Sequence, residues 1–581
     1  MKSVEYPENI GGWIHDNVSC FRVWAPLMDS VDLRIGDETI PMSREGEYFH
    51  VEVDGDLTGS EYFLITGKGN KPDPASRYLP EGIDGPSMLV NTGSYKWKCE
   101  QWKGIPLKEM VIYELHLGTF TDSGKIMDAE SRIDHLRDLG INTIELMPLS
   151  QTYGRRNWGY DGVFPFSVNN NYGSVHDLMH FIDKCHSEDM AVILDVVYNH
   201  LGPLGNVLPD FGPYISDRYV TPWGRSLNFD SSYSQGVREY FFNNLIYWLR
   251  DIRFDGLRLD SVHNIFDRSP ENFLTHLSRL SSRISKEQRR KIVLIAESDE
   301  NNVSLVQAIG SCGNGFDAMW CDDFHHAIHS YLTGERQGYY SDYGRFDQIG
   351  KALKDGFVYD GSYSSYLHRI RGTKFNLEPW KLVVFAQNHD QIGNRPLGDR
   401  LISIIGEKKT RMVAAAVVLS PFTPMIFMGE ESGCRSPFLF FVDPPDEVFG
   451  KKIDSGRKKE FSDFSWPDEI PFPSSVDTFM RSKLQWSEND DSRHFYLLYH
   501  DLIRARRKFL KPSVRMHRQV YSKDGIIKVT YGENQYLLFL NLGSETHKIH
   551  GKVIINTNSP RYGGESHDHD LDPYSAVFSV S

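Results

Sequence analysis

Gly256-Leu257-Arg258-Leu259-Asp260 is a short apolar run broken by one arginine and closed by a carboxylate, with Ser261-Val262-His263-Asn264 behind it. A run this short, bounded by polar residues, reads as a buried strand. Two other runs share the pattern: 292–296 ends on Glu297-Ser298-Asp299, and 382–386 leads into Gln387-Asn388-His389-Asp390. Three carboxylates at three strand ends predict one site where the strands converge. Five further runs, at 111–117, 143–148, 191–197, 318–321 and 425–428, bring the total to eight. Several are almost continuously apolar, as parallel strands covered on both faces must be. Between them lie helix signals: Ser174-x-x-Asp177 resembles a capping box, and Ile133, Leu136 and Leu139 form a stripe closed by Gly140. Val237, Phe241, Leu245, Trp248 and Leu249 repeat the stripe. The expected fold is α/β, a (β/α)8 TIM barrel with its active site at the C-terminal strand ends.

The flanks read differently. Phe21-Arg22-Val23, Val31 to Ile35 and Val51-Glu52-Val53 alternate apolar and polar residues between turn signals, which predicts an N-terminal β-sandwich over 1–100. Catalytic barrel material is expected over 108–510, with a surface loop at 454–477 and a terminal helix at 495–509. Strand patterns at 526–531, at 536–542 and around Val577 predict a C-terminal antiparallel β-domain over 511–581. Two connections, 149–172 and 201–233, exceed the roughly 12–15 residues usual for structureless loops. They carry Trp158, Tyr160, Phe211, Tyr214, Tyr219 and Trp223, aromatic side chains suited to stacking on sugar rings. Trp24, Tyr48 and Tyr62 in the first domain read as sandwich core.

Composition narrows the partners. The 581 residues carry 64 basic and 78 acidic side chains, a net charge of −14, which argues against a surface that tracks nucleic-acid phosphates. Residues 1–16 lack the apolar core of a signal peptide, and no stretch is long and apolar enough to span a bilayer. Cys20, Cys99, Cys185, Cys312, Cys321 and Cys434 are scattered with no C-x-x-C pair. The expectation is a soluble cytoplasmic protein with reduced thiols, a monomer or homodimer, with no membrane or nucleic-acid partner.

The polar residues after the apolar runs are the functional candidates: Asp195-x-x-Tyr198-Asn199-His200, Arg258-x-Asp260-x-x-His263, Glu297 and His389-Asp390. Any one of these acids alone would be a solvated strand end or an ion pair; the combination is what points to chemistry. Two carboxylates flanking one bond run glycoside hydrolysis, with retention at about 5–5.5 Å separation and inversion at about 6.5–9.5 Å. Arg258, two residues before Asp260, shares its strand face and is expected to hold it ionised.

Asp195-Val-Val-Tyr-Asn-His200, Gly256-Leu-Arg-Leu-Asp260, Ala296-Glu297-Ser298 and Asn388-His389-Asp390 resemble, in order, the four signature segments of the α-amylase superfamily. The resemblance implies a retaining mechanism with Asp260 as nucleophile, Glu297 as general acid and base, and Asp390 as the carboxylate that holds the sugar hydroxyls. It further implies that Arg258, His200 and His389 orient the nucleophile and grip the sugar. Tyr160 would be the stacking platform, within Trp158-Gly159-Tyr160-Asp161. Asp195 and Asn199 are implied as architectural supports. His263 belongs with the substrate contacts.

Finer resemblance comes from Glu297 to Asn302, Trp320 to Arg336, Gln387 to Arg395, Pro424 to Glu431, Thr221-Pro222-Trp223-Gly224 and Phe21 to Pro26. These are similar to the maltooligosyltrehalose trehalohydrolases. That family cuts the α-1,4 bond beside the terminal trehalose of a maltooligosyl-trehalose. Substrate contacts implied for the trehalose end are Trp223, Asp322, Asp323 and His325, with Glu430 and Glu431 as further candidates. Partners are therefore maltooligosyl-trehalose and related α-glucans. The alternatives are an α-glucan branching enzyme, which shares the first two signature segments, a debranching hydrolase, and a non-catalytic glucan-binding protein. No cofactor and no metal are expected: His325 and His329 lack the Glu of H-E-x-x-H, and Asn199 alone cannot hold a cation.

Overall fold

In this computed structural model the eight apolar runs form a closed parallel barrel, and the structure describes residues 6–460, 470–486, 489–567 and 569–581. The strands are β1 (Ile112–Leu115), β2 (Thr143–Leu146), β3 (Ala191–Val196), β4 (Gly256–Leu259), β5 (Val293–Ala296), β6 (Ala318–Trp320), β7 (Leu382–Phe385) and β8 (Thr423–Phe427). They pair in chain order, and β8 closes on β1. Every residue in them is buried.

The strand period explains why one end of this barrel is charged. Residues two apart share a face, and Ile112, Ile193, Val293, Ile295, Trp320, Val383, Phe385 and Met425 form an apolar cluster separate from the core between strands and helices. Two residues further along the same faces stand Glu114, Asp195 and Glu297, with Arg258 on β4 beside them. The barrel is filled by hydrocarbon below and by ionisable groups above. Register places Glu114 beside Glu145 of β2, and Asp195 beside Arg258.

The helix signals hold. Ser174 caps the helix Val175–Ser187 in a reciprocal capping box with Asp177. Gly140 ends Ile133–Leu139 in the left-handed region at φ 102°, which only glycine adopts without strain. The 201–233 connection is not structureless: it holds a short helix (Leu208–Phe211) and an antiparallel hairpin (Ile215–Thr221 with Gly224–Leu227). Phe211 and Tyr214, expected as sugar platforms, are each 1% exposed, and Tyr214 meets Trp24 edge-on at 4.9 Å. Tyr214 thereby joins the first domain to the barrel, and Phe211 is core. The loop expected at 454–477 is helical at both ends, inside Glu447–Glu460 and at the start of Val476–Arg481, and its residues 461–469 lie outside the described residues. Residues 1–5 of the N-terminal segment also lie outside them.

Two antiparallel sheets precede the barrel. Tyr62, 2% exposed, lies in their core, whereas Trp24, expected there too and equally buried, turns its ring to the barrel against Tyr214, Gly212 and Gly236, and Tyr48 donates a hydrogen bond to Glu239 on a barrel helix. After the barrel the helix Asp490–Phe509 leads to a five-stranded antiparallel sheet. Arg506 of that helix is buried and donates to the carbonyls of Val418 and Ser420 at 2.9 and 2.6 Å. It ties the last helix to the end of another, Glu407–Val418, whose carbonyls would otherwise go unpaired. Among the described residues no helix is long and apolar enough to cross a membrane.

Candidate active site

Arg258 is the hub. Its side chain is fully buried, and Trp320 lies beneath it with the guanidinium carbon 4.0 Å from the ring centroid. Nη1 donates to Asp195 Oδ2 at 2.7 Å and to Asp260 Oδ1 at 2.9 Å, while Nη2 lies 3.6 Å from Glu297 Oε2. Asn199 Nδ2 donates to the other Asp260 oxygen at 2.8 Å. Both oxygens of Asp260 thus face donors.

Glu297 sits differently. The amide of Ser261 donates to its Oε2 at 2.6 Å, and the Val262 amide to its backbone carbonyl at 3.0 Å. Ser261 bends the chain here, with φ 43° in the left-handed region. Burial pushes the Glu297 carboxyl well above its usual range; Arg258 opposes this, and the negative charges of Asp260, Asp322 and Asp390 add to it. One carboxyl is gripped by side-chain donors at both oxygens, and its neighbour is the one that burial pushes upward.

Asp390 lies in the first turn of the short helix His389–Gly393, and its side chain is 44% exposed. His389 behind it places Nδ1 2.5 Å from Glu114 Oε1 and Nε2 3.4 Å from Asp390 Oδ1. Burial alone would discharge this imidazole, but Asp390 and Glu114 carry it up to about 9. Tyr160 stacks on the ring at 5.1 Å and donates to Asp195 Oδ2 at 2.6 Å. His200 is hydrogen-bonded to Asn199 and stacks with Trp223 at 5.0 Å. Burial keeps His200 below the usual imidazole range. Trp223, at the hairpin tip, is 52% exposed.

The remaining expected contacts divide. Asp322 faces the acids: Gln391 Nε2 donates to it at 3.1 Å, and burial, then Asp390, raises it to about 7. His263 approaches Asp299 Oδ1 at 3.6 Å, and Asp161 accepts from Asn157 at 2.8 Å. Asp323 is turned inward instead, accepting from the amides of Val358 and Tyr359 at 2.7 and 2.8 Å and pairing with Arg371. His325 is also internal, between the Ala386 carbonyl at 2.6 Å and the Tyr340 hydroxyl at 3.1 Å. Trp158 is 4% exposed and stacked on Phe438, so its ring supports His389 and offers no face to a ligand. Glu430 and Glu431 are buried against Tyr499 and Tyr113. None of these five side chains opens on the cleft.

Sequence reading missed Glu114, Glu145, Ser261 and Gln391. Glu114 and Glu145 carried a usable signal: each is an acid inside an apolar strand run, and Glu114 is in phase with Ile112. Among the described residues neither carboxyl oxygen of Glu145 has a hydrogen-bond partner. Burial, then Glu114 and Asp195, pushes it well above the carboxylate range. No group of three or more His, Cys, Asp or Glu residues placed to hold a metal occurs among the described residues.

A family model described as "Alpha amylase, catalytic domain" matches residues 114–206 and 227–512. The chain is 39% identical over 568 residues to a protein of Saccharolobus solfataricus named malto-oligosyltrehalose trehalohydrolase, covering 96% of this chain and 98% of that one. It superposes with a TM-score of 0.91 on the crystal structure of a putative alpha amylase from Salmonella typhimurium, 34% identical, covering 99% and 100% of the two chains. A 1,4-alpha-glucan branching enzyme of Fusobacterium nucleatum matches less, 28% identical over 52% of this chain and 54% of that one. The full-length match and the barrel-end geometry lead to one conclusion: this chain belongs to the malto-oligosyltrehalose trehalohydrolase family, within the α-amylase group of glycoside hydrolases.

Proposed function

We propose that the protein hydrolyses the α-1,4 bond next to the terminal trehalose of a maltooligosyl-trehalose, releasing trehalose with retention of configuration. The observation that carries the mechanism is the single guanidinium of Arg258 spanning Asp260 and Glu297, one carboxyl facing donors at both oxygens and the other pushed above its usual range by burial. Two carboxyls sharing one guanidinium support the short spacing of a retaining enzyme.

Glu297 gives its proton to the glycosidic oxygen as the C1–O bond breaks, and Asp260 attacks C1 from the opposite face. Trehalose leaves, and the maltooligosyl unit stays on Asp260 as an ester. Glu297, now ionised, takes a proton from water, whose oxygen displaces Asp260 and restores the α-anomer. Asp390 and the imidazolium of His389 bracket the sugar hydroxyls, where positive charge develops on the ring. Tyr160 and the exposed Trp223 offer stacking faces.

All six cysteines are free thiols, which supports a reducing compartment such as the cytoplasm. The test is product analysis after incubation with maltotriosyl-trehalose, maltopentaose and amylose in parallel. Free trehalose with maltotriose is the expected pair. New α-1,6 branches in amylose would make the protein a branching enzyme, and binding without turnover a glucan-binding protein.

A further inference from the structure

The imidazole of His389 is walled in by three rings. Trp158 meets it edge-on with centroids 5.6 Å apart, Tyr160 stacks on it at 5.1 Å, and Trp320 lies tilted at 6.0 Å. Between these walls the ring keeps one freedom, a half-turn about its Cβ–Cγ bond that would exchange Nδ1 for a carbon. Glu114, buried on β1, removes it. Its Oε1 lies 2.5 Å from Nδ1, and its Oε2 accepts from the backbone amide of the same histidine at 3.2 Å. One carboxyl thus grips both the ring and the backbone of the first residue in the helix His389–Gly393.

The second nitrogen is thereby aimed. With Nδ1 on Glu114, Nε2 lies 3.4 Å from Asp390 Oδ1. In an imidazole the bond made by one nitrogen decides what the other can present. The titratable and charged groups around the ring come from five places: Glu114 and His116 at the end of β1, Glu145 on β2, Tyr160 in the loop after it, Arg258 on β4, and Asp390 beside His389 itself. Burial holds His116 down to about 3 and pushes Glu145 and Tyr160 well above their usual ranges, so these three favour their neutral forms. Of the two acids that raise His389, Asp390 meets the cleft, and Glu114 is the one behind the ring.

We propose that Glu114 is a positioning residue for the hydrolysis: it touches no substrate, but by holding Nδ1 it fixes the ring so that Nε2 presents a proton to Asp390 and to the sugar hydroxyl beside it. This rests on the α-glucan reading above. The arrangement repeats, on β1 and β7, what Arg258 does for Asp260 on β4: a fully buried group behind the reacting acid sets its direction.

The test follows kcat/KM on maltotriosyl-trehalose from about pH 5 to 10 in the wild type, Glu114→Gln, His389→Gln and the double variant. Glutamine keeps an acceptor at Nδ1 and loses the charge. Glu114→Gln should therefore stay within about threefold of the wild type at the acid end, while its alkaline limb moves down by about one pH unit and costs about tenfold at the alkaline end. In the His389→Gln background the same replacement should change kcat/KM by less than about twofold, because its effect passes through the ring. An unmoved limb, a uniform loss at every pH, or two losses that multiply in the double variant would overturn the proposal and leave Glu114 a structural ion pair. Thermal melting checks folding. Should Glu114→Gln not fold, Glu114→Asp keeps the charge on a shorter arm: kcat should fall with the limb in place, and an unchanged kcat would overturn the proposal. If the wild type releases no trehalose, the functional reading fails, while the NMR titration of the His389 ring, assigned by its absence in His389→Gln, still decides the coupling: the same midpoint in the wild type and Glu114→Gln would overturn it.

Discussion

The amide of Ser261 donates to Glu297 Oε2 at 2.6 Å, so the residue that follows Asp260 holds the neighbouring carboxyl in place. Nucleophile and acid are therefore set against each other by backbone, through the bend that Ser261 makes at φ 43°. The bond occupies one oxygen of Glu297 and leaves the other to carry the proton.

Replacing that acid separates its two duties. Glu297→Gln is expected to lower kcat on maltooligosyl-trehalose by about 10²–10⁴-fold, the usual worth of a positioned proton donor. A maltosyl fluoride, whose leaving group needs little protonation, should recover much of the loss in its first step. Equal loss on both substrates in stopped-flow kinetics would remove Glu297 from the acid role.

His389 gives a pH-dependent stability with a defined sign. Its folded-state value, about 9, lies above the ordinary 6.5, so the folded protein binds this proton more tightly than the unfolded chain. The stabilisation is complete below about pH 6.5 and is lost as pH rises through about 9, on the order of a few kcal/mol. Urea midpoints across this range should fall for the wild type, and the fall should be shallower in His389→Gln.

Glu145 titrates in the same direction for a different reason. Burial without a partner favours its protonated form, so the folded state loses stability as pH rises above the ordinary carboxylate range. Glu145→Gln keeps the shape and removes the charge. It should raise the melting temperature at pH 8 relative to pH 5 compared with the wild type, and a parallel pair of melting curves would contradict this.

Arg258 holds three carboxyls, so its removal leaves buried charge unpaired. Arg258→Leu is expected to cost about 3–5 kcal/mol in denaturant unfolding, the range for breaking a buried pair from one side. Arg258→Lys keeps the charge without the two-pronged geometry, and should recover more stability than activity.

The barrel and its three acids were legible because strand ends follow apolar runs and barrel sites follow strand ends. What escaped depends on contacts far apart in sequence. Glu114 and His389 meet across 275 positions, and no local pattern pairs them. Asp322 and Asp323 are neighbours at the start of one helix, where consecutive side chains diverge, so one faces the acids and the other the amides of Val358 and Tyr359. Phe211 and Tyr214 show the same limit: aromatic content in a long loop does not say which rings stay outside, and these two are buried, Tyr214 against Trp24 of the first domain.

The central claim is retaining release of trehalose, and time-resolved proton NMR of maltotriosyl-trehalose cleavage tests both halves at once. Trehalose should appear together with maltotriose whose new reducing end is first the α-anomer and then mutarotates. A β-anomer formed first, or maltotriosyl-trehalose consumed without free trehalose, would contradict it.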